Sequence, residues 1–239
     1  MKNKLSILIL FLFCGFLAQA QQTIIEYLSG TDKDHTVQWN FMCNTGRNSG
    51  KWSTIPVPSC WEMQGFGTYN YYKDIQNPDE KGFYKYNFTI SPNNKNKKIF
   101  IVFEASMTET EVKVNGKLAG PIHQGGFYQF KYDITKLVQF DKSNLLEVTV
   151  SKKSTNNSIN QAERKVDFWL FGGIFRPVYL EIVPSTFIER VAINAKASGD
   201  FSITAFTKNV TNKQTIEAQV FELNGKPVLC SSNKCNFRF

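Results

Sequence analysis

The stretch "GFYKYNFTI" limits what this chain can fold into more than any other. Tyr84, Tyr86, Phe88 and Ile90 alternate with Lys85, Asn87 and Thr89. That is the period of two expected of a strand with one buried and one wet face. The pattern recurs. "NLLEVTVSKK" alternates Leu146, Val148 and Val150 with Glu147 and Thr149, and "KKIFIVFEA" is apolar on both faces, as a central strand would be. "TEVKVNGKLAG" runs Val112 and Val114 into Asn115-Gly116, a strong hairpin signal. "GGFYQFKYDIT" follows, Gly, Pro, Asn and Asp mark the joints, and no amphipathic helix of any length is predicted. Short strands at this spacing imply an all-β sandwich or barrel. An aromatic fraction of 14% suits a β protein with aromatic-lined surfaces.

Two long excursions interrupt the strands. One is "IPVPSCWEMQGFGTYNYYKDIQNPDEKGFY". The other is "SKKSTNNSINQAERKVDFWLFGGIF", polar first and then aromatic. Loops of this length are usually functional or act as packed covers, and these two are expected to meet at one end of a sandwich. After Pro184 the rhythm changes. Ile188, Val191 and Ile193 sit in one run, Phe201, Ile203 and Ala205 alternate, as do Ile216, Ala218 and Val220, and Asn224-Gly225 marks a turn. Three strands fit in residues 185–239, about half of the roughly seven an immunoglobulin-like sandwich needs. The expectation is a fragment or truncated product.

The N-terminus is expected to leave the fold. Lys2 and Lys4 precede an apolar run from Leu5 to Leu17 and then Ala18-Gln19-Ala20, the layout of a secretory signal peptide cut after Ala20. The mature chain is then secreted or periplasmic, with no membrane attachment after cleavage. The net charge is +8, and Lys95, Lys97 and Lys98 form one small cluster at a hairpin tip. A basic tip without a groove-reading element excludes nucleic acid as a partner. Of the cysteines that survive processing, Cys43, Cys60, Cys230 and Cys235, export permits disulfides. Their connectivity stays open, with buried free thiols as the alternative.

The stretches "VPSCWEMQGFGTYNYY", "GFYKYNFTI", "VKVNGKLAG", "GGFYQFKYDIT" and "DFWLFGGIFRPVYLEIVP", in this order and spacing, resemble the N-terminal part of glycoside hydrolase family 2, the β-galactosidase and β-glucuronidase family. The likeness covers residues 36–220, and its most specific part is D-x-W-x-x-x-G-I-x-R from Asp167 to Arg176. It implies a jelly-roll sugar-binding domain over residues 21–184 and a partial immunoglobulin-like sandwich over 185–239. The family's catalytic (β/α)8 barrel is absent. Retaining glycoside hydrolysis needs two carboxyl groups about 5–5.5 Å apart. In the family both are barrel glutamates, so no catalytic residue is named here. Glu62, Glu80, Glu104, Glu109 and Glu111 qualify by residue type alone, and Glu109 and Glu111 are expected to solvate a strand face.

The resemblance places two substrate-binding candidates. The aspartate matching Asp167 reaches the barrel's site, bonds a hydroxyl of the terminal sugar and in some members helps hold sodium. The alternative for Asp167 is a turn or cap residue. Asn77 lies in a loop where relatives place a sugar-contacting asparagine. No cofactor is assigned to this chain; sodium or magnesium belongs to full-length relatives. Gly172 and Gly173 are expected to make a tight turn, and Arg176 to pair with a buried carboxylate or carbonyls. Trp61, Trp169, Phe171 and Phe175 are expected to pack, His123 to lie at the surface, and Asp133 to form a local turn. The leading reading is the N-terminal part of an exported β-galactosidase-like enzyme acting on a carbohydrate substrate, inactive alone and of unknown oligomeric state. The other reading is a stand-alone carbohydrate-binding module, which would not carry the half sandwich after Pro184.

Overall fold

The alternating runs become paired strands wherever their apolar parity can face a common interior. The computed structural model describes residues 22–68, 79–164, 171–211, 216, 218–227 and 235–238. In chain order the strands are β1 (Ile24–Tyr27), β2 (Val37–Cys43), β3 (Ser53–Val57), β4 (Lys81–Thr89), β5 (Lys97–Phe103), β6 (Glu109–Val114), β7 (Lys117–Leu118), β8 (His123–Gln124), β9 (Phe130–Asp133), β10 (Ser143–Ser151) and β11 (Val178–Pro184). The chain divides into two compact units between Ile182 and Val183.

In the first unit, a seven-stranded sheet is ordered β3-β2-β4-β10-β6-β7, with β8 also paired to β6, and a four-stranded sheet is ordered β1-β11-β5-β9. The β4–β10 pair sets the register, running from Ser143 opposite Thr89 to Ser151 opposite Lys81. It places Tyr84 against Val148 and Tyr86 against Leu146 on one face. Trp39, Phe41, Tyr84, Val112, Leu146 and Val148 of the large sheet share one buried cluster with Ile99, Ile101, Phe103, Val178, Leu180 and Ile182 of the small one. Two sheets closed over such a core make the all-β jelly-roll sandwich expected from the sequence. The Asn115-Gly116 signal is a tight hairpin: both residues have positive φ, 52° and 77°, and Val114 pairs with Lys117. "KKIFIVFEA" is an interior strand, β5, flanked by β11 and β9.

One element departs from the sequence reading. Residues Asn157–Arg164 form an α-helix, α1. Asn156 caps it, its side chain accepting the Ser158 amide at 3.0 Å. The buried residues of α1 are Asn160 and Glu163, both polar, so no apolar period marked it.

The second unit is a three-stranded sheet, β12 (Phe187–Ala195), β13 (Phe201–Lys208) and β14 (Cys235–Arg238), in that order, with β14 parallel to β13. Residues 216 and 218–220, expected to be a strand, are irregular among the described residues, and the Asn224-Gly225 turn closes a bridge between Phe221 and Pro227. A register shift between Ile188 and Arg190 explains an anomaly of spacing. Ile188 and Val191 are three apart and would point to opposite sides of a regular strand. The bulge sets them opposite Thr207 and Ala205, in phase with Ile193 opposite Ile203. This face stays open, with Ile188, Val191 and Ile193 at 50%, 43% and 63% exposure.

An apolar face and unpaired strand edges open readily. Limited trypsin digestion of the chain should cut first within residues 190–239, leaving a resistant core that ends at Arg190, the first tryptic site after Pro184. A resistant product extending to Phe239 would show instead that the second unit is closed in solution.

Candidate functional site

The two excursions do meet, and Trp61 joins them. After β3 the chain turns through a short 3-10 helix, Trp61–Gln64. The Trp61 amide donates to Gly172 O at 3.0 Å, and the Ser59 amide donates to Ile174 O at 2.8 Å. The indole is fully buried and lies against three glycines. A Cβ placed on Gly172 would stand 2.0 Å from the indole, and one on Gly82 would stand 2.7 Å from it. A Cβ on Gly67 would stand 2.7 Å from the indole Nε1. Gly173 follows with φ 132°, where a side chain would approach Ser59 O to 2.6 Å. The Gly172-Gly173 pair is therefore the tight, closely approached turn expected of it.

Beneath this contact lies a set of buried charges. Trp61 Nε1 donates to Glu80 Oε1 at 2.8 Å, and the Thr68 amide to Glu80 Oε2 at 2.9 Å. The Gly172 amide donates to both carboxylate oxygens of Glu62, at 3.0 and 2.9 Å. Lys152 Nζ sits 2.7 Å from Glu62 Oε1 and 3.7 Å from Glu80 Oε1, and donates to Thr68 O at 3.1 Å. All three side chains are almost wholly buried. Burial pushes the Glu62 carboxyl up from its ordinary 4.5 to about 7, against the downward pull of Lys152 and the Gly172 amide.

Strand parity could have found this cluster. Leu146, Val148 and Val150 point inward, and the same phase carried on reaches Lys152; Gly82 and Tyr84 carried back reach Glu80. The Lys152 amide donates to Glu80 O at 3.0 Å, continuing the β4–β10 ladder. Glu109 behaves otherwise than expected. It does not solvate its face but is buried, accepting Gln124, the Ser154 hydroxyl, and the Thr155 amide and hydroxyl on one oxygen. The chain following β10 folds over it, a tertiary cover that strand parity does not encode. Glu111 is half-buried and pairs with Lys113 at 2.7 Å.

Asp167, Asn77 and Trp169 lie outside the described residues. Arg176 is corrected. It is exposed and lies over the Phe175 ring, 5.7 Å from its centroid, with no ion pair among the described residues. His123 is also corrected. It is half-buried, stacked on Phe130 at 3.8 Å, with Nε2 2.9 Å from Gly125 O, and burial pulls its pKa down. Asp133 makes the expected local turn, accepting the Thr135 amide at 3.0 Å. Phe171 and Phe175 are half-buried. Cys43 and Cys60 are free thiols, pushed up by burial to about 11 and about 12. Among the described residues no three His, Cys, Asp or Glu side chains converge as a metal centre needs. Nor is any helix among them long and apolar enough to cross a membrane.

Residues 45–184 match the glycosyl hydrolases family 2, sugar binding domain. The chain is 31% identical over 154 residues to a beta-galactosidase of Thermoanaerobacter pseudethanolicus, covering 63% of this chain and 20% of that protein. It is 26% identical over 209 residues to a beta-glucuronidase of Bacteroides fragilis, covering 82% of this chain and 28% of that one. Its fold is that of an uncultured Clostridium sp. beta-glucuronidase, with a TM-score of 0.67 at 18% identity over 90% of this chain and 38% of the other. The chain thus spans about a fifth of the length of the first of these relatives.

Two outcomes follow from the buried contact. Gly172→Ala forces a methyl into a ring that cannot move aside. It should cost at least about 1–3 kcal/mol, the range for overpacking a tight core, read as a drop in denaturation midpoint. Glu62 should titrate with folding. An acid whose folded pKa exceeds its unfolded one stabilises fully below the unfolded value, about 4.5, and loses that contribution as pH rises through about 7. Relative to Glu62→Gln, the parent chain should lose up to about 3 kcal/mol between those limits. A stability difference independent of pH across that window would show that Glu62 does not titrate there.

Proposed function

The chain belongs to glycoside hydrolase family 2, and from that premise we propose that it is the jelly-roll part of an exported, retaining, β-galactosidase-like glycosidase. In this reading it supports the substrate site and hydrolyses nothing alone. One observation carries it. The lock of Trp61 and Glu62 onto Gly172 joins the two most specific stretches of the family pattern, and it holds the turn next in sequence to the Asp167 segment. The leader at residues 1–20 supports export.

The chemistry divides between two parts. Two barrel carboxylates, about 5–5.5 Å apart, act as nucleophile and as acid/base through a covalent glycosyl intermediate. Asp167 orients the sugar. A carboxylate accepts two hydroxyls at once through charge-assisted bonds, stronger than neutral ones, while neighbouring aromatic rings offer a flat apolar wall to the pyranose. Without the barrel's groups Asp167 would offer a sugar only one acceptor, with which water competes well.

Fused to the catalytic barrel of a family 2 enzyme, the chain should take part in hydrolysis of a chromogenic β-galactoside, with a β-glucuronide as the competing substrate. In that enzyme Asp167→Asn keeps size and one acceptor but loses the charge. Losing one charged hydrogen bond is worth about 1.5–3 kcal/mol, so kcat/KM should fall about ten- to a hundredfold with the melting temperature nearly unchanged. Unchanged kinetics with a large fall in melting temperature would make Asp167 a turn residue and sink its role in the site.

A further inference from the structure

We propose that a polar cleft of about 330 Å3 beside the start of α1 binds a neutral polyhydroxylated ligand, one or two saccharide units, through Glu109, Lys81 and Lys153. This goes beyond the support of a distant reaction, because every group named lies on this chain and the binding needs no barrel. Asp79, Asn157 and Asn160 complete the polar walls.

Glu109 is the anchor. It is 7% exposed, and its Oε2 takes all four of its hydrogen bonds, from Gln124 Nε2 at 3.0 Å, Ser154 Oγ at 2.9 Å, and Thr155 N and Oγ1 at 2.8 Å each. Oε1 accepts none among the described residues and is the oxygen left for a ligand. Burial pushes the carboxyl up, but the Thr155 amide and hydroxyl, Ser154 and Gln124 outweigh it and hold the group ionised. The acceptor is also fixed in place. The Ser154 amide donates to Asn160 Oδ1 at 3.0 Å, Asn160 Nδ2 returns to Ser154 O at 2.7 Å, and the Asn156 amide donates to Ser154 Oγ at 3.0 Å. Such a site loses little entropy when it is occupied.

The composition of the walls selects the ligand. Among the described residues, Glu109 and Asp79 oppose Lys81 and Lys153, so these walls offer no net charge to draw in a cation or an anion. What remains is a close mixture of acceptors and donors, which suits hydroxyls because each donates and accepts at once. The volume stands at the lower end of the roughly 300–1,000 Å3 of small-molecule sites. Among the described residues the lining is polar and carries no aromatic side chain, so what these residues offer a ligand is hydrogen bonding, and their affinity should be modest.

The test is a titration of the isotope-labelled chain, followed by NMR, with methyl β-galactopyranoside and methyl β-glucopyranoside. The amides of Ser154, Thr155 and Asn157 should shift saturably in the millimolar range. Lys153→Ala, a change at an exposed side chain that should leave the fold intact, should weaken binding about tenfold, the loss of one charge-assisted bond. Asp167→Asn should leave this titration unchanged, which separates it from the proposed glycosidase role. The proposal falls if neither glycoside moves those amides saturably. It falls equally if inorganic phosphate or glucuronate moves them more than the neutral sugars do, or if Lys153→Ala titrates like the parent chain.

Discussion

The burial of one indole organises the end of the sandwich. Trp61 fills a space that exists because Gly67, Gly82 and Gly172 have no side chains. These three glycines come from a loop, a strand and a turn far apart in sequence. Truncating a buried aromatic of this size costs about 3–5 kcal/mol, so the contact alone could decide whether the two excursions dock. Its polar edge is met by Glu80, and the next residue, Glu62, holds the Gly172 amide from the other side. A hydrophobic set of equal volume would serve stability as well or better than buried ions. What the charged set adds is direction: a carboxylate bonded to a single backbone amide fixes that amide's place, which apolar packing does not.

Much of this was legible in the chain. Alternation located β4, β5, β6 and β10, and the Asn115-Gly116 pair placed a hairpin, because burial of one sheet face and positive φ leave marks on neighbouring residues. The meeting of the two excursions followed from their length and flanking strands. Lys152 and Glu80 lie in the same alternation, at its inward phase, but a charge at such a position gives no sign of burial unless its partner is known. Glu109 could not be read in this way. It faces outward by parity and is buried only because Ser154 and Thr155 return over it. α1 was invisible for a related reason: its inner face is Asn160 and Glu163, held by hydrogen bonds to Ser154 and to the Gly126 amide, so the helix is attached by polar contacts and leaves no apolar stripe.

The second unit shows how a single inserted residue can preserve a pattern that spacing seems to break. Without the bulge at Glu189, Ile188 and Val191 would part company, and the sheet would have no apolar face. With it, Ile188, Val191, Ile193, Ile203 and Ala205 share one side, while Arg190 stacks over Phe206 on the other, 3.7 Å from the ring centroid. That apolar side is the open one, with Ile188, Val191 and Ile193 exposed.

Glu62 and Glu109 are both buried glutamates, and their opposite shifts separate two uses of the same side chain. Glu62 receives one amide and one ammonium in a buried position, where desolvation prevails and the carboxyl is pushed up to about 7. Its oxygens face protein groups, and what it does is hold a turn. Glu109 receives an amide, two hydroxyls and a carboxamide on a single oxygen, enough to overcome the cost of burial and keep the charge. That arrangement spends all local donors on Oε2 and leaves Oε1 as a strong acceptor beside a cleft. A carboxylate wanted only for structure would gain from distributing those donors over both oxygens, as Glu80 does with Trp61 and Thr68. In the proposed site that asymmetry leaves Oε1 for a ligand, and the balance of Lys81, Lys153 and Asp79 with Glu109 among the described residues favours hydroxyls over ions.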